Sequence, residues 1–348
     1  MESNILNISK KFLSIIAVLG IVLSLVACTS TPAEPVEEAT DKLVVYTPNS
    51  EGIINAVIPL FEQTYGVEVE LIQAGTGELM TRLQSEASAP YADVMFGGSK
   101  SQFAANPDIF QDYVSENDQY VIEAYRNTSG YMSSYVLDGS VLVVNTDLIG
   151  DIEINGYADL LNPALKGKIA TADPSASSSA FAQLTNALLA MGGYESEEAW
   201  AYVEALVDQW DGKIASGSSA VYKSVAAGEM VVGLSYEDPC ATLVRDGANV
   251  KIVYPEEGTV FLPATMAIVK GATNIVNAKL FIDFVLSEEV QNIFGSTLTN
   301  RPVREGAATA DYMTPMSDIY VIVEDQEYVS ANKKAIVERY TEIFASLQ

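Results

Sequence analysis

Three consecutive serines, Ser177-Ser178-Ser179, follow Asp173-Pro174 and precede the apolar run Phe181, Leu184, Leu188, Leu189. The spacing predicts a helix that starts at the serines, with Ala180 in its first turn. The first backbone N–H groups of a helix have no partner within it, and they carry the positive end of its dipole. Small hydroxyl side chains let an anion approach them closely and add donors of their own. The chemistry on offer is therefore anion capture, although a plain serine N-cap uses the same residues.

Other loops of similar kind occur along the chain. Gly75-Thr76-Gly77-Glu78 makes another strand-to-helix turn. It is not a dinucleotide fingerprint, because Met80 stands where a third glycine is required. Thr47-Pro48-Asn49-Ser50 and Phe96-Gly97-Gly98-Ser99 are small, polar loops at strand ends, where open α/β sheets hold their ligands. Tyr236-Glu237-Asp238-Pro239 follows the apolar run Val231–Leu234. Its carboxylates suit ligand hydroxyls, an amine or a metal; a turn with Asp238 as helix cap fits as well. Arg301 and Arg304 are scarce cations in an acidic chain, fit to neutralise an anion or to pair with surface carboxylates.

Much chemistry is excluded. The chain has no histidine, which removes Ser-His-Asp and Cys-His catalysis and imidazole-held metals. There is no GxSxG elbow, and the one Ser-x-x-Lys, Ser330–Lys333, falls in a predicted surface helix. Only carboxylate catalysis of the glycosidase kind stays open. The net charge of −27 repels phosphate backbones and excludes nucleic acid as a partner. Any anion site must then work by short-range donors.

The elements that must position these residues begin after an export signal. Lys10-Lys11, an apolar stretch from Phe12 to Ala27 and a closing Leu25-Val26-Ala27-Cys28 have the order of a secretory signal peptide over residues 1–27. The Cys after Leu-Val-Ala resembles the lipobox of bacterial lipoproteins, which implies lipidation of Cys28 and anchoring of the mature chain to the cell membrane. Thr29–Asp41 is acidic, holds two prolines and shows no periodicity, so residues 28–41 read as a tether. Cys240 is then the one remaining thiol, expected as a small buried hydrophobe. From residue 42 strands and helices alternate: strands at Leu43–Tyr46, Val67–Ile72 and Ala92–Phe96, then Val141–Asn145, Ile169–Thr171, Val231–Ser235 and Met266–Val269. Helical periodicity covers Ile53–Tyr65, Gly75–Ser85, Ser179–Met191, Glu197–Trp210, Asn277–Leu286 and Lys333–Leu347. This alternation predicts a mainly parallel sheet covered on both faces.

From Leu43 to Arg304 the chain resembles the ABC-importer substrate-binding proteins of the ferric-iron, phosphonate and sugar-phosphate binding family. The stretches that carry the resemblance are VVYTPNSEGIINAVIPLFEQTYGVEVE, YADVMFGGS, ADLLNPALKGKIATADPSASSSA, SSAVYKSVAAGEMVVGLSYEDP and NAKLFIDFVLSEEVQNIFG. It implies an α/β, two-lobed type 2 periplasmic-binding-protein fold, with lobe 1 at 42–140 and 267–317 and lobe 2 at 141–266 and 318–348. Two hinge strands, near Val141–Asn145 and Pro263–Val269, would cross between the lobes. It also implies a monomeric, non-enzymatic protein without a cofactor that hands a solute to a membrane permease and ATPase. The candidate ligand set is Asn49, Ser50, Thr76, Gly77, Ser99, Ser177, Ser178, Ser179, Ala180, Ser218, Tyr236, Glu237 and Arg301. The triple serine matches the position where relatives hold phosphate, which favours an organic phosphate or a phosphonate, with Glu237 reading the other end. Ferric members place two adjacent tyrosines where this chain has Tyr236-Glu237; Fe³⁺ held by that pair is the alternative.

Overall fold

The computed structural model describes residues 40–347. The signal peptide, Cys28 and all but the last two residues of the tether lie outside the described residues. In chain order the strands are β1 (Lys42–Thr47), β2 (Glu68–Gln73), β3 (Val94–Ser99), β4 (Phe110–Gln111), β5 (Met132–Asn145), β6 (Ile169–Ala170), β7 (Val232–Tyr236), β8 (Val250–Val253), β9 (Phe261–Val269) and β10 (Arg301–Pro302). The helices are α1 (Glu51–Tyr65), α2 (Thr76–Ser85), α3 (Lys100–Ala104), α4 (Ser178–Ala190) and α5 (Glu197–Gln209), followed by α6 (Ser218–Ala226), α7 (Glu237–Arg245), α8 (Ile275–Val285), α9 (Glu288–Ser296) and α10 (Gln326–Ser346).

One sheet runs in the order β2-β1-β3-β9-β5-β7-β6, with β10 and β8 on β5 and β4 on β9. It is mixed rather than mainly parallel. The outer pairs β1–β2, β1–β3 and β6–β7 are parallel, as helical crossovers require, while every pairing made by β5 and β9 is antiparallel. The cause is the length and direction of these two strands. Residues Met132–Gly139 of β5 pair with β9, and Ser140–Asn145 pair with β7 and β8. A single fourteen-residue strand thus serves both halves of the sheet.

Each half is covered on both faces, because successive strand residues point to opposite sides. In β1, Leu43 and Val45 meet Phe61 and Phe281, while Val44 and Tyr46 meet Leu79, Leu83 and Phe103. In β5, Leu142 and Val144 join the core around Trp200 and Leu206, while Val141 and Val143 face Val221, Val225 and Cys240. Cys240 is fully buried, and burial pushes its thiol up to about 12. Helix α1 keeps Pro59 inside its span and ends at Gly66, whose φ of 68° suits glycine. The C-terminal helix starts at Gln326, seven residues before the periodicity at Lys333 suggests, because Asp325 accepts from the Tyr328 N–H and caps it there.

Candidate functional site

The loops after β1, β2 and β3 meet. Thr47 Oγ1 and Asn49 Nδ2 both donate to the Phe96 carbonyl, at 2.7 and 3.0 Å. Tyr135 OH donates to Asn49 Oδ1 at 2.6 Å, and Gln73 Nε2 donates to the Asn49 carbonyl at 2.8 Å. Gly97 and Gly98 hold φ of 121° and 123°. A Cβ on Gly98 would stand 2.8 Å from Thr76 Cγ2, so the close approach of Thr76 depends on that glycine. Asn49, Thr76, Gly77 and Ser99 are therefore neighbours. The Asn49 side chain, however, is spent on loop contacts. Ser50 is exposed at the start of α1 and makes no side-chain cap bond.

A second cluster forms where α4 and α6 begin. Ser177 Oγ accepts from the Ala180 N–H at 3.2 Å and lies 2.8 Å from Ser218 Oγ and 3.3 Å from Ser179 Oγ. Ser177 is buried and acts as the cap; Ser178 and Ser179 are freer, their N–H groups at the first two helical positions without an intrahelical acceptor. Ser218 opens α6, which has Gly217 at its N-cap and no side-chain cap bond. Two helix N-termini and four hydroxyls thus converge, as close together as their sequence separation of about forty residues gave no local reason to expect.

Tyr236 and Glu237 diverge. Tyr236 ends β7, half buried, and stands edge-on to Tyr222 with ring centroids 6.2 Å apart. Burial pushes its phenol well up, and Tyr222 and Asp138 add to the shift. Glu237 turns away into the protein, 1 % exposed, against Arg301, 2 % exposed. Arg301 Nε donates to both Glu237 carboxylate oxygens at 3.1 and 2.9 Å, its Nη2 reaches Oε1 at 2.5 Å, and Nη2 also donates to the Thr314 carbonyl at 2.8 Å. Tyr254 OH donates to the same Oε1 at 2.5 Å. This corrects the expectation for both residues. Arg301 does not face a ligand anion, and Glu237 is not open to ligand hydroxyls or to iron, because each neutralises the other.

Two adjoining cavities lie along Ser178. One, of about 320 Å³, is lined by Asp138, Gly139, Ser140, Ser179, Ser218 and Tyr236, together with Ser178, Ala182 and Leu262. The other, of about 310 Å³, shares Ser178, Ala182 and Leu262. It adds Ser99 and Gln102 beside α3, Thr185 and Glu324, and two cations, Lys100 and Lys333. Lys333 Nζ rests 4.9 Å above the Phe181 ring. Neither cavity is lined by Asn49, Ser50, Thr76, Gly77, Ala180 or Glu237. Ala180 directly follows the serines and is buried, its N–H given to Ser177.

The sequence reading missed Asp138, Lys100 and Lys333. Asp138 left a signal, a lone charge inside the apolar run Tyr135–Val144, whereas the two lysines sit in ordinary polar surface patterns. Burial, and after it the charges of Asp238 and Glu237, hold the Asp138 carboxyl well above the usual range. Among the described residues no group of three or more Cys, Asp or Glu side chains is placed to hold a metal ion.

The bacterial extracellular solute-binding protein model matches residues 56–318, and the chain belongs to that family. Iron uptake protein A1 of Synechocystis is 25 % identical over 299 residues, 80 % of this chain and 81 % of that protein. A putative 2-aminoethylphosphonate-binding periplasmic protein of Salmonella typhimurium is 24 % identical, over 72 % of this chain and 74 % of its own length. The structure of the periplasmic binding protein AfuA from Actinobacillus pleuropneumoniae, solved with fructose-6-phosphate bound, superposes with a TM-score of 0.70 at 24 % identity, covering 88 % of this chain and 99 % of that one. The fold is thus the type 2 periplasmic-binding-protein fold, and the molecule is a bacterial extracellular solute-binding protein.

Proposed function

We propose that the solute is a small organic phosphate or phosphonate, held by its anion at the joined N-termini of α4 and α6 and passed to a permease and ATPase. The observation that carries this reading is the convergence of Ser177, Ser178, Ser179 and Ser218 at the edge of a cleft that also holds Lys100 and Lys333. Unpaired helix N–H groups, hydroxyls and two ammonium groups are a donor set for an oxyanion, and none of them ligates Fe³⁺ well. Ferric binding would need Glu237 to leave Arg301 and would still supply one tyrosine and one carboxylate. The overall charge of −27 opposes an anion only weakly at contact, since exposed charges are screened beyond ~8 Å at physiological salt.

The two halves of the sheet act as lobes that close on the solute about β5 and β9, the hinge strands. Calorimetric titration with inorganic phosphate, ethylphosphonate, fructose 6-phosphate and ferric citrate tests both parts. Binding of at least one phosphate or phosphonate, with a smaller radius of gyration by small-angle scattering at saturation, is the expected result. Tight ferric binding with no anion requirement overturns the ligand class, and an unchanged radius overturns closure. The lipobox-like Cys28 tethers the protein to the membrane as a monomer. Changing Cys28→Ser should move it to the soluble fraction, and retention on membranes would end the lipoprotein reading.

A further inference from the structure

The two lysines of the cleft come from opposite halves of the molecule. Lys100 opens α3, whose Phe103 is buried with Val44 and Tyr46 of β1. Lys333 stands on α10, whose Val329, Ile336 and Tyr340 are buried in the core around Trp200 and Leu206. Both line the cavity of about 310 Å³, together with Ser178. Among the described residues neither lysine forms an ion pair or a hydrogen bond, and Lys333 rests on the Phe181 ring alone. A chain with 46 Asp and Glu against 19 Lys and Arg has no shortage of carboxylates to pair with them. Glu324 lines the same cavity, yet it accepts from Thr185 Oγ1 at 2.8 Å. Burial raises its carboxyl, and the charge that acts on it is that of Asp325, not of a lysine. Glu324, Asp325 and Glu327 also line a larger cavity, of about 720 Å³, which Lys100 borders and Lys333 does not. The space that the two cations share is therefore the one toward α4.

Two like charges bordering one space repel each other until an anion stands between them. The serines and the lysines address different places. Ser179 and Ser218 do not line the lysine cavity, neither lysine lines the serine cavity, and Ser178 joins the two. Their donors differ as well, helix N–H groups and hydroxyls at one end and point charges on flexible stems at the other. We infer that Lys100 and Lys333 form a second anion subsite, and that the solute carries two acid groups. The phosphate or phosphonate sits at the serines, and the second anionic group sits between the lysines. The inference rests on the anion site proposed above. Since the lysines stand on opposite halves, the second group also ties α3 to α10 when the lobes close. A sugar monophosphate or a plain alkylphosphonate fills the serine end and leaves the lysine end unanswered.

Probes that differ by one acid group separate the two readings. Ethylphosphonate is compared with 3-phosphonopropionate, and fructose 6-phosphate with fructose 1,6-bisphosphate, by calorimetric titration into the mature protein at pH 7. In at least one pair the compound with two acid groups should bind about tenfold tighter or more. In Lys100→Gln and in Lys333→Gln that advantage should fall to about twofold, with circular dichroism establishing that each variant is folded. Lys334→Gln removes the same charge one position along α10, from a lysine that pairs with Glu338 and does not line the cavity, and should leave the advantage whole. The double change Ser178→Ala, Ser179→Ala should weaken both members of a pair and keep their ratio. An advantage absent from both pairs, one that survives both lysine substitutions, or one lost equally in Lys334→Gln would overturn the second subsite while leaving the anion site standing. Failure of inorganic phosphate and every phosphate and phosphonate probe to bind would overturn both.

Discussion

The serine cluster at α4 and α6 and the Glu237–Arg301 pair were expected to serve the same ligand, yet the fold treats them oppositely. The serines lie on a cleft with donors to spare, the outer N–H groups and hydroxyls of Ser178 and Ser179 left without a partner in their own helix. Glu237 and Arg301 are sealed together with Tyr254 and the Thr314 carbonyl, every strong group answered from inside. A charged residue at a strand end is thus not evidence of a site by itself; what matters is whether its countercharge is already in the protein. Asp138 makes the same point from the other side, since it was overlooked in sequence, yet it lines the cleft and keeps one buried carboxylate oxygen without a partner.

The comparison is broken most forcefully at the pair. Arg301→Leu should leave Glu237 as an uncompensated buried charge and cost about 3–5 kcal/mol of stability, read by urea unfolding. Since Arg301 faces no ligand, affinity measured on the fraction that remains folded should stay within about twofold of the original. A loss of affinity without a loss of stability would return Arg301 to the ligand site.

The double change Ser178→Ala, Ser179→Ala should do the reverse. Hydrogen bonds to a charged group contribute about 1.5–3 kcal/mol each, so anion affinity should fall at least about tenfold in calorimetry. The unfolding midpoint of the ligand-free protein should hardly move, because Ser177 rather than its neighbours caps α4. Undiminished affinity would mean the anion sits elsewhere.

The smallest effect should come from Asp138→Asn in the ligand-free protein. The Asp138 carboxyl is held above its ordinary value in the folded state, so from about pH 4 upward the unfolded chain loses the proton first. Asp138 therefore subtracts stability as pH rises from that point toward its folded value, and the subtraction is absent at lower pH. Asparagine does not titrate, so the variant should be more stable by about 1 kcal/mol at pH 7 and no more stable at pH 4. A gain that is the same at both pH values would show that the charge is not the cause.

Much of the fold was legible because it is written in local periodicity. Continuous apolar runs at Leu43–Tyr46 and Val141–Val144 mark strands buried on both faces, and the runs at Ile53–Phe61 and Phe181–Leu188 mark helices packed on them. The serine turn was legible as well, since Ser177 caps its own helix within three residues. What local pattern could not carry was direction and distance. The antiparallel placement of β5 and β9 depends on which strands they meet, and a strand reads the same beside a parallel or an antiparallel neighbour.

The sequence by itself determined an α/β chain with an acidic surface, no imidazole chemistry and a hydroxyl-rich helix start, because composition and short-range capping need no partner from afar. Tertiary structure alone decided which of the candidates face a solute. Ser177 and Ser218 meet across 41 positions, Glu237 and Arg301 across 64, and the strand pairing brings Asp138 beside the start of α7. Charge and hydrogen bonding act over a few ångströms in space, whatever the separation along the chain, so the fold settles whether a polar group is satisfied by the protein or left for a ligand.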